Sequence, residues 1–124
     1  MARIVLVDDD EPIRKTLARA LSESGHEVFS ADNGHTGADL ARAQLPDLLI
    51  TDLAMPHAGL AMIRALRTEF PSLPILAISG SPTRLPMAEH LGASRILAKP
   101  FTIFQFEAAV HELLIPRVKP PPKI

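Results

Sequence analysis

Short apolar runs recur along the chain as RIVLV (3–7), EVFSA (27–31), DLLIT (47–51), PILAIS (74–79) and SRILA (94–98), each bounded by turn-forming residues. Runs of this length, rich in Ile, Val and Leu, fit buried strands better than helices. Between them the apolar spacing changes. Ile13, Leu17 and Leu21 in the first intervening segment, Leu60, Ile63 and Leu66 in the third, and Ile103, Phe106, Val110 and Leu113 in the last fall three or four apart, as on a helix with one buried face. Strand and helix alternate throughout, which predicts an α/β fold: a parallel sheet of five strands, helices on both faces and right-handed crossovers between them.

Punctuation places the boundaries. Pro12 suits a first helical turn, Gly25 follows ALSES as a helix stop, and Thr102 is positioned to cap the last helix. Between Ser81 and His90, Pro82 and Pro86 leave room only for a short fourth helix that starts late. After Ile115 the tail PRVKPPPKI has no apolar period. The expected organisation is one domain over 1–115 followed by a flexible proline-rich tail over 116–124.

Composition narrows the chemistry more than it suggests any. A chain of 124 residues with 47% hydrophobic residues and a formal net charge of −1 reads as an ordinary globular domain, without the basic excess of a nucleic-acid binder. Cysteine is absent, which removes disulfides, thiolate metal sites and thiol nucleophiles. No window approaches membrane-spanning length and the N-terminus lacks a signal-like apolar run, so the cytoplasm is the expected compartment and no membrane partner is expected.

The polar residues fall where an open parallel sheet binds its ligands, at the carboxyl ends of the strands. The first strand runs into Asp8, Asp9 and Asp10; the third ends in Thr51 and Asp52, the fourth in Ser79 and Gly80, and the fifth in Lys99 and Pro100. Each residue alone is as well read as a cap or a solvated loop charge; their convergence on one rim is what makes a candidate site. Carboxylates a few ångströms apart repel by roughly 4 kcal/mol per pair at an effective dielectric of about 20, so the cluster calls for a cation. Oxygen donors without sulfur or a histidine pair suit Mg²⁺, with Mn²⁺ as the alternative. Lys99, the Ser79 hydroxyl and the Gly80 N–H add donors for an anion, and a pocket of this kind suits a phosphoryl group.

The stretches LVDDDEPIRKTL, PDLLITDLAMP, ILAISGS and GASRILAKPF, in that order, resemble the CheY-like receiver domain of bacterial two-component response regulators over essentially residues 1–115. The resemblance implies a doubly wound, flavodoxin-like sheet of strand order 2-1-3-4-5 and a phosphorylatable aspartate at Asp52. It implies Mg²⁺ held by Asp9, Asp52 and the main-chain carbonyl of Ala54, with Asp8 in the outer shell and Asp10 capping a helix. Ser79 would turn toward the phosphoryl group, Lys99 would contact it, and the Lys99–Pro100 peptide would be cis. The implied donor is a sensor histidine kinase or a histidine phosphotransfer protein. The output would pass through protein contacts or self-association of the fourth and fifth strand-helix units.

Departures from that family concern the switch. The position three before the lysine is Ile96 where the family usually carries an aromatic; the loop LAMPHAGL looks one residue short and brings His57 near the mouth; and the segment from Ser79 to Gly92 looks about two residues short. His57 reads as a solvent-facing loop residue in preference to one that contacts a phosphoryl group or tunes its lifetime, and His26, His35, His90 and His111 receive no chemistry. Phe104 and Ala108 lie off the main stripe of the last helix, as edge packing or as a patch for a partner or second copy. Two other functions compete. A Mg²⁺-dependent phosphatase resembling the haloacid dehalogenase class would use Asp8 and Asp10 as nucleophile and acid, and Pro12 and the missing later acidic pair weigh against it. A degenerate receiver without phosphorylation is opposed by intact Asp9, Asp52, Ser79 and Lys99. Whether the chain is a stand-alone receiver or one domain of a larger regulator or hybrid kinase stays open at this level.

Overall fold

The computed structural model describes residues 2–53 and 58–115. In chain order the elements are β1 (Arg3–Val7), α1 (Glu11–Glu23), β2 (Glu27–Ala31), α2 (Gly34–Gln44), β3 (Leu48–Asp52), α3 (Ala58–Glu69), β4 (Ile75–Ser79), α4 (Arg84–Leu91), β5 (Arg95–Ala98) and α5 (Ile103–Leu114). All neighbouring strands pair in parallel, in the order β2-β1-β3-β4-β5. The architecture is the expected doubly wound one.

Alternation within each strand divides the core into two layers. Ile4, Leu6, Leu48, Ile50, Leu76 and Ile78 face α1 and α5, where they meet Leu17, Leu21, Phe106 and Val110. Val5, Val7, Leu49, Ile75 and Ala77 face α2, α3 and α4 and meet Ala41, Met62, Ile63, Leu66 and Ala88. Because both faces are covered, β3 and β4 are buried at every position, which is why they read as continuous apolar runs. Each fully buried aliphatic side chain contributes roughly 1.5–3 kcal/mol. The edge strands β2 and β5 are only partly buried. At Gly37 a Cβ would come within 2.5 Å of Val7 Cγ2, so glycine there lets α2 lie close on β1.

The helix boundaries follow the punctuation. Pro12 stands in the first turn of α1, and Gly25, just beyond its end, has φ +91°. Thr102 caps α5 through a reciprocal pair: its hydroxyl accepts from Gln105 N at 3.1 Å and Gln105 Oε1 accepts from Thr102 N at 2.8 Å. The fourth helix is short and late, with Pro86 inside its first turns and no side-chain cap from Thr83.

Three expectations need correction. Strands three to five begin one residue later than the apolar runs. Ile103, placed on the buried stripe of the last helix, is 38% exposed. Phe104 is 80% exposed and Ala108 is exposed, so neither is packed at an edge. The tail 116–124 lies outside the described residues.

Candidate functional site

The strand order decides the site. Since β1 lies between β2 and β3, and β4 between β3 and β5, the ends of β1, β3, β4 and β5 form one continuous rim. Asp8 follows β1, Asp52 ends β3, Ser79 ends β4 and Lys99 follows β5. Main-chain bonds lock these ends together: Leu53 N donates to Ile78 O at 2.8 Å, and Lys99 N donates to Ser79 O at 3.0 Å.

Among the described residues the buried polar side chains are Asp8, Thr51, Asp52 and Ser79, each at most 2% exposed. All four stand at this rim. Asp52 is paired with the Lys99 ammonium, which crosses from β5. Burial draws the Lys99 ammonium toward neutrality, but its hydrogen bond and charge contact with Asp52, helped by Asp8 and Asp10, raise its pKa on balance. Asp8 lies beside Asp52, and its carboxyl is pushed from 3.8 up to about 6, chiefly by burial, with the Asp52 charge adding to it. The hydrogen bond from Asp10 N at 2.9 Å and the charge of Lys99 pull the other way.

The remaining sequence-assigned residues divide. Asp10 accepts from Ile13 N at 3.1 Å and caps α1, as expected. Asp9 stands exposed at the rim. The Ser79 hydroxyl accepts from Ser81 N at 2.9 Å and retains its own proton to donate. Gly80 is exposed against the side chain of Lys99. The Lys99–Pro100 bond is cis, as expected. Ala54 and His57 lie outside the described residues.

The oxygen-only donor set, with two buried carboxylates side by side and one of them raised in pKa, fits a hard divalent cation. Among the described residues no three His or acidic groups are already drawn together tightly enough to hold a metal. The pair Asp8 and Asp52 is brought together, whereas Asp9 stands at the edge.

Two arginines at the site were not singled out from the sequence. Arg14, one turn into α1, donates to Asp8 O at 2.8 Å, and Arg84, the first residue of α4, donates to Leu53 O at 2.7 Å. A register argument finds Arg14, which lies one helical turn past the Asp10 cap. No local signal marks Arg84, whose partner is 31 residues away. Beside the rim, a groove of about 620 Å³ runs between α1 and the start of α5, lined by Pro12, Ile13, Leu17, Pro100, Phe101 and Ile103, with Lys99 also at its wall. The exposed Ile103 lines that groove.

The family model described as "response regulator receiver domain" matches residues 4–111. The chain belongs to the response regulator receiver domain family. It is 37% identical over 123 residues to a probable transcriptional regulatory protein of Picosynechococcus sp., covering 91% of this chain and 49% of that protein. It is 36% identical over 115 residues to the response regulator MprA of Mycolicibacterium vanbaalenii, covering 90% and 50%. The chain thus spans about half the length of the curated relatives it matches. Among solved structures it superposes on the Vibrio cholerae chemotaxis protein CheY4 with a TM-score of 0.84 at 28% identity, covering 92% of this chain and 99% of that one. Receiver domains are signalling modules, take phosphoryl groups from histidine kinases and generally bind Mg²⁺ at the phosphorylation site. The haloacid dehalogenase reading finds no support: the family is a different one, and the Asp10 carboxylate is used in capping α1. No helix among the described residues is long and apolar enough to cross a membrane.

Proposed function

We propose that this receiver accepts a phosphoryl group on Asp52 from a phosphohistidine of a sensor kinase or phosphotransfer protein, and that the modified domain changes its protein contacts. The observation that carries this reading is the buried Asp52 carboxylate paired with Lys99 and flanked by Asp8 at the open rim of the sheet. A carboxylate so placed is a poised nucleophile with a cation at its side.

An Asp52 oxygen attacks phosphorus in line. The new O–P bond forms as the P–N bond breaks, and the bonding pair leaves with the donor imidazole, which takes up a proton. Lys99 stays beside the reacting oxygens and offsets their growing charge. The Ser79 hydroxyl, with a proton to give, donates to the new phosphoryl oxygens, and the Gly80 N–H is the further donor assigned to them. Asp9, Asp52 and the Ala54 carbonyl would hold Mg²⁺, with Asp8 behind them; bound there, the ion supplies positive charge against the mutual repulsion of carboxylate and phosphoryl oxygens. Hydrolysis of the acyl phosphate by water releases inorganic phosphate and restores Asp52. The activity is self-modification and reset rather than turnover of a separate substrate.

The groove between α1 and α5 opens beside Lys99 and offers the donor an apolar footing next to the acceptor. Output passes through the α4, β5 and α5 side or through self-association, in the cytoplasm, with no direct nucleic-acid contact. Residues 1–115 form the receiver.

Intact-mass measurement after incubation with Mg²⁺ and acetyl phosphate tests the assignment. One added phosphoryl group is expected in the wild type and in Asp10→Asn, and none in Asp52→Asn. Addition that survives Asp52→Asn, or steady ester hydrolysis that depends on Asp8, overturns it.

A further inference from the structure

The switch in this receiver needs a coupling that Ile96 does not supply. Ile96 is a β-branched residue, packed against the layer that holds Leu85 and Ala88 of α4, and it has no ring to swing. The link that does run from the phosphoacceptor strand to α4 is Arg84. Its guanidinium reaches from the first residue of the helix to the carbonyl of Leu53, the residue directly after Asp52. That bond is one of few holding this end of α4. Thr83 gives no side-chain cap, Pro86 lacks an N–H, and Ser81 Oγ meets Arg84 N only at 3.4 Å. The other end is held firmly, since Arg67 donates to Gly92 O at 2.8 and 3.0 Å. In between, Leu85 and Ala88 anchor one face while Met87, Glu89 and His90 are exposed.

Charge explains why the link should respond. Lys99 and a divalent ion, were one held by the site as proposed above, would together balance Asp8, Asp9 and Asp52 and bring the site near neutrality. An aspartyl phosphate replaces one negative charge by up to two, leaving the site one cation short. Arg84 is committed to a neutral carbonyl, one residue and about 3.8 Å of chain from Asp52. A guanidinium gains more from phosphoryl oxygens than from a peptide carbonyl, because the contact then joins opposite charges and can be bidentate. Arg14 lies on the opposite side, on the Asp8 carbonyl, and belongs to α1, so its response would not move α4.

We propose that Arg84 is the positioning residue through which phosphorylation reaches α4: its guanidinium leaves the Leu53 carbonyl for the phosphoryl group on Asp52 and takes the first turn of α4 with it. This rests on Asp52 as the phosphoacceptor. The surface carrying Met87, Glu89 and His90 is then what a partner reads. Arg84 is itself the first residue of α4, so its movement is passed directly to the helix.

The test compares wild type, Arg84→Met and Arg84→Lys by intact mass and by amide and arginine Nε–H spectra, with and without Mg²⁺ and acetyl phosphate. Expected are one phosphoryl group in all three and a shifted Arg84 Nε–H signal in the wild type. The phosphorylation-induced shifts of the Leu85–Leu91 amides should fall by roughly threefold or more in Arg84→Met and be partly regained in Arg84→Lys. Wild-type α4 shifts in Arg84→Met at equal phosphoryl content overturn the role of Arg84 while leaving Asp52 as acceptor. Absence of the added mass from the wild type overturns both. Should Arg84→Met fail to fold, an unmoved Arg84 Nε–H signal in the phosphorylated wild type is equally decisive against the proposal.

Discussion

Asp8 is a group the fold holds against its own stability, and its removal should show by how much. Its carboxyl, 2% exposed and beside Asp52, is carried from 3.8 to about 6. At about 1.4 kcal/mol per pH unit, ionised Asp8 costs the native state about 3 kcal/mol relative to the unfolded chain. The sign follows from proton counts. Between pH 3.8 and about 6 the folded protein keeps a proton on Asp8 that the unfolded chain has released, so this contribution falls as pH rises through that window and stays low above it. Asp8→Asn keeps the shape and the acceptor for Asp10 N, and offers Asp52 a hydrogen-bond donor in place of a charge. In chelator at pH 8 the variant should therefore be more stable than wild type by about 2–3 kcal/mol in urea denaturation, with the midpoint rising at unchanged slope. At pH 4 the gap should nearly vanish. Repeating both titrations isolates Asp8, because all other carboxyls are common to the two proteins. A variant no more stable than wild type at pH 8, or a gap undiminished at pH 4, refutes the reasoning that two crowded carboxylates are a stored cost of this site.

Other perturbations probe the scaffold that places the site. Gly92 has φ +121° and a Cβ there would lie 2.7 Å from Arg67 Cγ, so Gly92→Ala should cost about 2–4 kcal/mol and lower the melting temperature; a loss below about 1 kcal/mol would mean the Arg67 clamp yields easily. Thr102→Ala removes one half of the α5 capping pair and should cost about 1 kcal/mol, most of it regained in Thr102→Ser; chemical denaturation of the two variants decides this, and equal losses would show that the hydroxyl is not what matters.

Sequence legibility followed the range of the interaction. Strands and helices were readable because burial on two faces, or on one, imposes a repeat within a few residues: β4 could hardly appear other than as an unbroken apolar run. Thr102, Pro12 and Gly25 were readable because caps act within one turn. The candidate site residues were legible because strand ends mark the rim of a parallel sheet, and their order along the chain resembles a known family. Ile103 was misread because periodicity does not show that a groove opens between α1 and the start of α5, and Phe104, left open between edge packing and an exposed patch, is exposed.

The alternating elements, the caps and the roster of acids, hydroxyl and ammonium follow from the residue order alone, since each depends on neighbours within a turn or on bare chemical type. It took the packed fold to bring Lys99 to Asp52 past the intervening strand β4, to strip Asp8 of its water and its ordinary acidity, and to close Arg84 on Leu53. Those facts depend on strand order and on what burial removes from solvent. Both come into being when segments far apart in the chain pack together, so no local pattern records them.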